Sequence, residues 1–295
     1  MTPSDERPDP EDLLERISSE RNASTGKLKI FFGYAAGVGK TYAMLEEAQA
    51  LMKAGADVVA GYIEPHTRPD TAALAEGIPA LPPLRLSHRN IQVSEFDLDG
   101  ALARKPALIL VDELAHTNAD GSRNKKRYQD VEELLNAGVD VFTTMNVQHV
   151  ESLNDVVKRI TGVAVRETVP DSIIDQADKV KLIDIDPEEL LNRFADGKVY
   201  GKDRVTVARR HFFTPGNLSS LREIALRKAA DRVSRDAIRE KKDVSEKILV
   251  CIGPSPSSAS CSRAASRMAE TWHSPWVAFT VLGGEESAGV RENTD

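Results

Sequence analysis

The sequence predicts an α/β protein built on a mostly parallel sheet with helices on both faces, followed by a shorter β-α-β unit. Three observations predict it. A glycine-rich turn, F-F-G-Y-A-A-G-V-G-K-T over Phe31 to Thr41, joins an apolar run, Leu28 to Phe32, to a helical pattern, Tyr42 to Lys53. A second aliphatic run, within P-A-L-I-L-V-D-E from Pro106, ends in the carboxylate pair Asp112-Glu113. Asp57 to Tyr62 is almost continuously apolar, the sign of a strand covered on both faces, as parallel strands are.

The turn is the first functional signal, and it makes the expected architecture P-loop NTPase-like. A strand-to-helix turn ending in Gly39-Lys40-Thr41 suits a phosphate. Backbone N–H groups and the helix N-terminus supply positive partial charge, lysine reaches the outer phosphates, and threonine can ligate Mg²⁺. Glycines let the backbone approach the ligand. The expected roles are Gly37, Val38 and Gly39 along the phosphates, Lys40 on the outer phosphates and Thr41 on the metal, with a nucleotide and Mg²⁺ as the ligands. The spacing is one residue from the standard pattern, since Tyr34, not Gly33, stands where the first glycine of G-x-x-x-x-G-K-[ST] belongs. Either Tyr34 replaces that glycine or the loop carries one extra residue.

Asp112-Glu113 is the second signal. A strand ending in two carboxylates carries them to the sheet edge that holds the loop, where Asp112 would order a Mg²⁺-bound water and Glu113 would orient the attacking water. Alone this motif is weak; with an upstream G-K-T it points to a nucleotide site. Two further candidates lie at strand ends. The polar corner I-E-P-H-T-R-P-D, with Glu64 and Arg68, follows the Asp57–Tyr62 strand at the edge where open α/β sheets bind ligands. N-V-Q-H, Asn146 to His149, could sense an outer phosphate or equally cap the next helix. The basic loop G-S-R-N-K-K-R, Gly121 to Arg127, reads as a solvated charged loop in preference to a phosphate contact.

Composition bounds the rest. With 295 residues, 41% apolar and 29% charged, the chain has the makeup of a soluble globular protein of one large domain plus a smaller module. The longest aliphatic run, Ala107 to Val111, is too short for a bilayer, so no direct membrane insertion is expected. A net charge of -7 argues against nucleic acid as a partner. Cys251 and Cys261 are too few and too far apart for a metal site or a disulfide framework, which fits a cytoplasmic location.

The remaining elements follow in order. Residues 1–26 read as a flexible leader or docking helix, and 27–243 as the nucleotide-binding domain. Expected helices cover Thr71–Glu76, Asp97–Ala103, Tyr128–Asn136 and Val150–Ile160; expected strands cover Ile91–Val93, Val139–Met145 and Lys179–Ile185. D-P-E-E-L-L opens a helix with Pro187 in its first turn. Val199 to Gly216 is basic and irregular. Ser220 and Glu223 form a capping-box pattern for a long helix to about Lys242. Residues 244–295 give a strand at Glu246–Gly253, a helix at Ala259–Thr271, a strand at Trp276–Leu282 and a tail, a partial module whose core needs completion.

These blocks resemble the N-terminal cytoplasmic part of the osmosensitive potassium-channel sensor histidine kinases, the KdpD family. The resemblance runs from about Lys27 to Arg239 and rests on A-G-V-G-K-T-Y-A-M-L, L-V-D-E-L-A-H-T-N, D-V-E-E-L-L-N-A-G-V-D-V, N-V-Q-H-V-E-S-L-N-D, V-R-E-T-V-P-D and G-N-L-S-S-L-R-E-I-A-L-R. It implies a cytoplasmic ATP-binding regulatory domain of a two-component potassium and osmolarity sensor, adjusting the balance of kinase and phosphatase activity. The implied partners are a sensor kinase core or a response regulator. Homodimerisation stays open, and any ATP hydrolysis would be slow. Glu64, His66 and Arg68 match the family in the polar corner, whereas Pro65 and Thr67 depart from it. The chain lacks the phospho-accepting histidine region and the catalytic ATPase domain of a full kinase. The module after Val244 resembles the start of the family's universal-stress-like domain, with a cyclic-dinucleotide turn and strand altered to Gly253-Pro254-Ser255 and W-V-A-F-T. The rival readings are a small-molecule kinase of thymidine-kinase-like architecture and an interaction module with an idle nucleotide site.

Overall fold

The computed structural model describes residues 25–64, 69–88, 91–196 and 212–239, with part of the segment between 248 and 280. The expected leader up to residue 24, Arg68, most of the basic stretch Val199–Gly216 and the tail after 280 lie outside the described residues. The chain divides into two compact units, Met1–Ala229 and Ala230–Asp295.

The first unit is a five-stranded sheet. Its strands are β1 (Leu28–Gly33), β2 (Val58–Tyr62), β5 (Leu108–Val111), β6 (Asp140–Asn146) and β7 (Lys179–Leu182), in the order β2-β5-β6-β1-β7. Every neighbouring pair is parallel. Alternation along the strands separates two cores. Leu28, Ile30 and Phe32 of β1 and Ile109 and Val111 of β5 join one cluster, and Phe31, Leu108 and Leu110 join the other.

Helix α1 (Lys40–Lys53) covers the second cluster with Met44, Leu45 and Ala48, all 0% exposed. The first cluster takes α3 (Leu98–Arg104), α4 (Arg127–Asn136), α5 (Asn154–Thr161), α6 (Asp171–Gln176), α7 (Pro187–Ala195) and the start of α8 (Pro215–Arg239). Helices therefore lie on both faces, as expected. The short α2 (Pro69–Ala75) completes the set.

Several expectations need correction. Val150–Ile160 is not one helix: two 3-10 turns, Val147–His149 and Glu151–Leu153, precede α5. The capping box at Ser220 is not a helix start, because α8 begins at Pro215. Thr214 stands ahead of it, its Oγ1 accepting from Asn217 N at 3.3 Å, with proline at the first helical position. The weak strand at Ile91 is β4 (Ile91–Glu95), and it pairs antiparallel with β3 (Leu84–His88), which was not expected. L-R-L-S-H and I-Q-V-S-E both alternate with period two, the signal that would have shown the pair. Helix α6 was also missed; its six residues are too few for a helical period.

In the second unit, β8 (Ile248–Cys251) and β9 (Trp276–Phe279) pair in parallel, Ile248 opposite Trp276. The described positions between Ser258 and Ala269 are helical, giving the expected β-α-β order.

Candidate functional site

The loop from β1 to α1 turns on three glycines. Gly37 and Gly39 have φ of 92° and 101°, left-handed values that side chains rarely adopt. At Gly33 the constraint is space, since an added Cβ would come 2.6 Å from Val38 Cγ2 and 3.2 Å from Lys40 Cδ. Gly33 thus makes the close approach expected of the first glycine in the pattern, and Tyr34 is the extra residue. Tyr34 turns inward, 1% exposed, and its hydroxyl donates to the Ile185 carbonyl at 3.1 Å. Burial, with Asp184 nearby, pushes its phenol up to about 12. Val38 also faces the core, 1% exposed.

Lys40 opens α1 and donates from Nζ to the Ala35 carbonyl at 3.0 Å, folding back over its own loop. Thr41 follows, and its Oγ1 lies 3.2 Å from Asp112 Oδ2. The two motifs, 71 residues apart, are thereby joined, although β6 separates β1 from β5. β6 supplies the link: Thr144 Oγ1 donates to Asp112 Oδ1. The Glu113 amide donates to the same Oδ1 at 3.1 Å. Asp112 is 1% exposed and held by three donors, a carboxylate fixed in place before any ligand arrives.

Glu113 has φ 59°, an uncommon left-handed backbone for a residue with a side chain. The residue is exposed at the sheet edge, yet its carboxyl is pushed up to about 7. Desolvation by surrounding protein is the first cause, and the charges of Asp112 and Glu64 add to it. Glu64 accepts from the Tyr62 hydroxyl at 2.8 Å and follows β2, separated from β1 by β5 and β6. The structure therefore sets Glu64 near Glu113, the neighbour of Asp112. Asn146 is opposite Gly33 in the β1–β6 register, and its Oδ1 is buried with no hydrogen-bond partner. Next to it, His149 Nδ1 meets the Glu167 carbonyl at 2.8 Å; burial holds this imidazole below its usual range, and Lys40 and Lys126 add to the effect.

The basic loop is not simply solvated. Arg127 is 0% exposed: Nη2 is 2.9 Å from Glu95 Oε2, Nη1 donates to the Asp112 carbonyl at 3.2 Å, and the guanidinium carbon lies 4.0 Å from the Tyr62 ring centre. Glu95 also meets His116 Nε2 at 3.1 Å and accepts from the Ala119 amide at 3.0 Å. Burial alone would raise the Glu95 carboxyl, but these partners outweigh it and hold it below the usual range. Arg123 pairs instead with Asp99 and Glu133 on the surface. Sequence reading missed Glu95, His116, Thr144 and the burial of Arg127. The one legible sign was T-T inside the apolar strand V-F-T-T-M.

The donor set fits Mg²⁺ with a nucleotide. Thr41 and Asp112 offer hard oxygens, and magnesium usually takes few protein ligands and completes its shell with phosphate and water. Among the described residues no three His, Cys, Asp or Glu side chains form a preformed metal cluster. The glycine cradle, which a Cβ would fill at Gly33, fits a phosphate ligand, and the unpartnered Asn146 Oδ1, an acceptor, fits a metal-bound water at the same edge.

Residues 24–233 match the family model described as the osmosensitive K⁺ channel His kinase sensor domain, KdpD. A sensor protein KdpD of Clostridium acetobutylicum is 58% identical over 98% of this chain and 33% of its own length. One from Escherichia coli is 54% identical over 93% of this chain and 31% of its own length. A putative sensor protein KdpD of Synechocystis is 47% identical, over 83% of this chain and 67% of its own length. The chain spans about a third of the first two relatives. Nothing in these matches supports the small-molecule kinase alternative. Among the described residues no helix is long and apolar enough to cross a membrane. With the match covering most of the chain and the relatives agreeing, the protein belongs to the KdpD family of osmosensitive K⁺-channel histidine-kinase sensor domains.

Proposed function

We propose that this chain is a cytoplasmic ATP-binding regulatory domain of a potassium- and osmolarity-sensing two-component system, whose nucleotide state sets the kinase-to-phosphatase balance of a sensor kinase core acting on a response regulator. The observation that carries the reading is the Thr41 Oγ1 to Asp112 contact, which brings the loop threonine and the strand-end aspartate to one place beside the glycine turn. Bound ATP would supply a polyanion whose outer phosphates Lys40 and the loop amides neutralise and whose Mg²⁺ Thr41 and Asp112 hold. Lys40 would exchange the Ala35 carbonyl for a phosphate oxygen, a charge-assisted and stronger partner. Glu113, with its carboxyl near neutrality, would position or accept a proton from water at the terminal phosphate. Asn146 would accept from a metal-bound water through its unpartnered Oδ1 at the same edge.

Calorimetric titration of the full chain with Mg-ATP tests the reading. Replacing Lys40 by alanine is expected to weaken binding about tenfold or more, the scale of one lost charge-assisted contact. Unchanged affinity, or no binding by the unaltered chain, overturns it.

A further inference from the structure

We infer that Lys126 is a second phosphate-binding cation, contacting the terminal phosphate of a nucleoside triphosphate in addition to Lys40; this rests on the nucleotide-binding reading above. The geometry begins with the chain between Glu113 and α4. It leaves the Asp112 edge, makes the basic loop and returns: Thr117 and Lys126 form an antiparallel bridge, and the Arg127 amide donates to the His116 carbonyl at 3.1 Å. The return brings Lys126, half-buried, next to Arg127, whose Nη1 donates to the Asp112 carbonyl.

Its side chain continues a connected path to the β6 edge. Lys126 Nζ donates to Thr117 Oγ1 at 2.7 Å. The Thr117 amide donates to Glu167 Oε1 at 3.0 Å, and the Glu167 carbonyl meets His149 Nδ1 at 2.8 Å. His149 closes the 3-10 turn that follows Asn146, the residue opposite Gly33. Burial is the main cause that holds its imidazole below the usual range, and the charges of Lys40 and Lys126 add to it, in keeping with both ammonium groups lying near His149.

The loop's arginines are paired with carboxylates, whereas Lys125 and Lys126 have no ion pair among the described residues; Lys125 is exposed, and Lys126 is the half-buried one, held to Thr117. Arg123 is matched by Asp99 and Glu133, and Arg127 by Glu95. Among the described residues, the Lys126 ammonium has a neutral hydroxyl as its partner and no carboxylate within ion-pair distance. A cation held by a hydroxyl exchanges that contact for a phosphate oxygen without leaving a buried charge behind. A triphosphate carries one more phosphate group than a diphosphate, so a contact to that group separates the two nucleotides.

The test is titration of the full chain and of Lys126→Met and Lys126→Arg variants with Mg-ATP and with Mg-ADP, after thermal melts establish that the variants fold. Lys126→Met is expected to lose ATP affinity by about tenfold or more while ADP affinity stays within about twofold, and Lys126→Arg keeps the preference. Equal loss of ATP and ADP, or loss of neither, overturns the inference while leaving nucleotide binding intact. If the unaltered chain binds neither nucleotide, the parent reading fails and this one with it.

Discussion

Arg127 Nη2 lies 2.9 Å from Glu95 Oε2, with the arginine side chain 0% and the glutamate side chain 7% exposed, so β4 and α4 meet through a buried ion pair. The pair ties the β3–β4 hairpin to the strand that carries Asp112, because the same guanidinium donates to the Asp112 carbonyl. Losing one partner strands the other charge in a desolvated place. Arg127→Ala and Glu95→Ala are each expected to lower unfolding free energy by about 3–5 kcal/mol. The double variant Glu95→Leu with Arg127→Met should recover much of that loss. Urea unfolding of the four proteins measures it, and a single-variant loss below about 1 kcal/mol refutes the desolvated-pair account.

Tyr34 is a structural member of the loop. Its hydroxyl satisfies the Ile185 carbonyl and its ring belongs to the core beside Ile30 and Phe32. Tyr34→Phe is expected to cost about 1 kcal/mol of stability, the net worth of one hydrogen bond, and to leave Mg-ATP affinity within about twofold. A tenfold loss of affinity at unchanged stability would place the ring on the nucleotide instead.

The sheet and the two motifs at its edge were legible because each has a local cause. Buried parallel strands need continuous apolar residues, and a strand-to-helix phosphate turn needs Gly37, Gly39, Lys40 and Thr41 in succession. The extra residue was visible as a spacing error at Tyr34, but the choice between replacement and insertion depends on Val38 and Lys40 closing on Gly33, contacts made only in the folded loop. Arg127 was illegible for a related reason. Five of the seven residues in G-S-R-N-K-K-R carry charge or an amide, and only the distant Glu95 makes one of them a core residue. The break between Val147 and Asn154 was hidden because V-Q-H-V-E-S-L-N suits a helix, while tertiary hydrogen bonds hold it otherwise: Val169 N donates to the His149 carbonyl and Glu151 N to the Val169 carbonyl.

Glu113 makes stability depend on pH. Its carboxyl takes up a proton near 4.5 when unconstrained and near about 7 in the fold, so the folded state binds more protons between those values. Stability must then fall as pH rises through that window, with the Glu113 contribution intact below it and lost above it. Glu113→Gln, which stays neutral, should gain on the unaltered protein between about pH 4 and pH 8. Urea midpoints at those two pH values measure the gain, and a constant difference sinks the assignment.

The backbone at Glu113 makes a second, independent prediction. A φ of 59° brings Cβ toward the following carbonyl and costs a side-chain residue about 1–2 kcal/mol, a penalty glycine escapes. The conformation is held by Glu113 N donating to Asp112 Oδ1 and Thr144 Oγ1 and by Leu114 N donating to the Thr144 carbonyl. Glycine loses more entropy on folding than alanine, roughly 0.5–1 kcal/mol, so the strain term exceeds it by a small margin. Glu113→Gly is therefore expected to be at least as stable as Glu113→Ala, reversing the usual order of those residues, while both variants lose the carboxyl and whatever ATP turnover depends on it. Thermal melts and ATP hydrolysis assays on the pair separate the two roles. If Glu113→Ala is the more stable by about 1 kcal/mol, the turn relaxes once the side chain is gone, and the left-handed backbone is set by the glutamate itself.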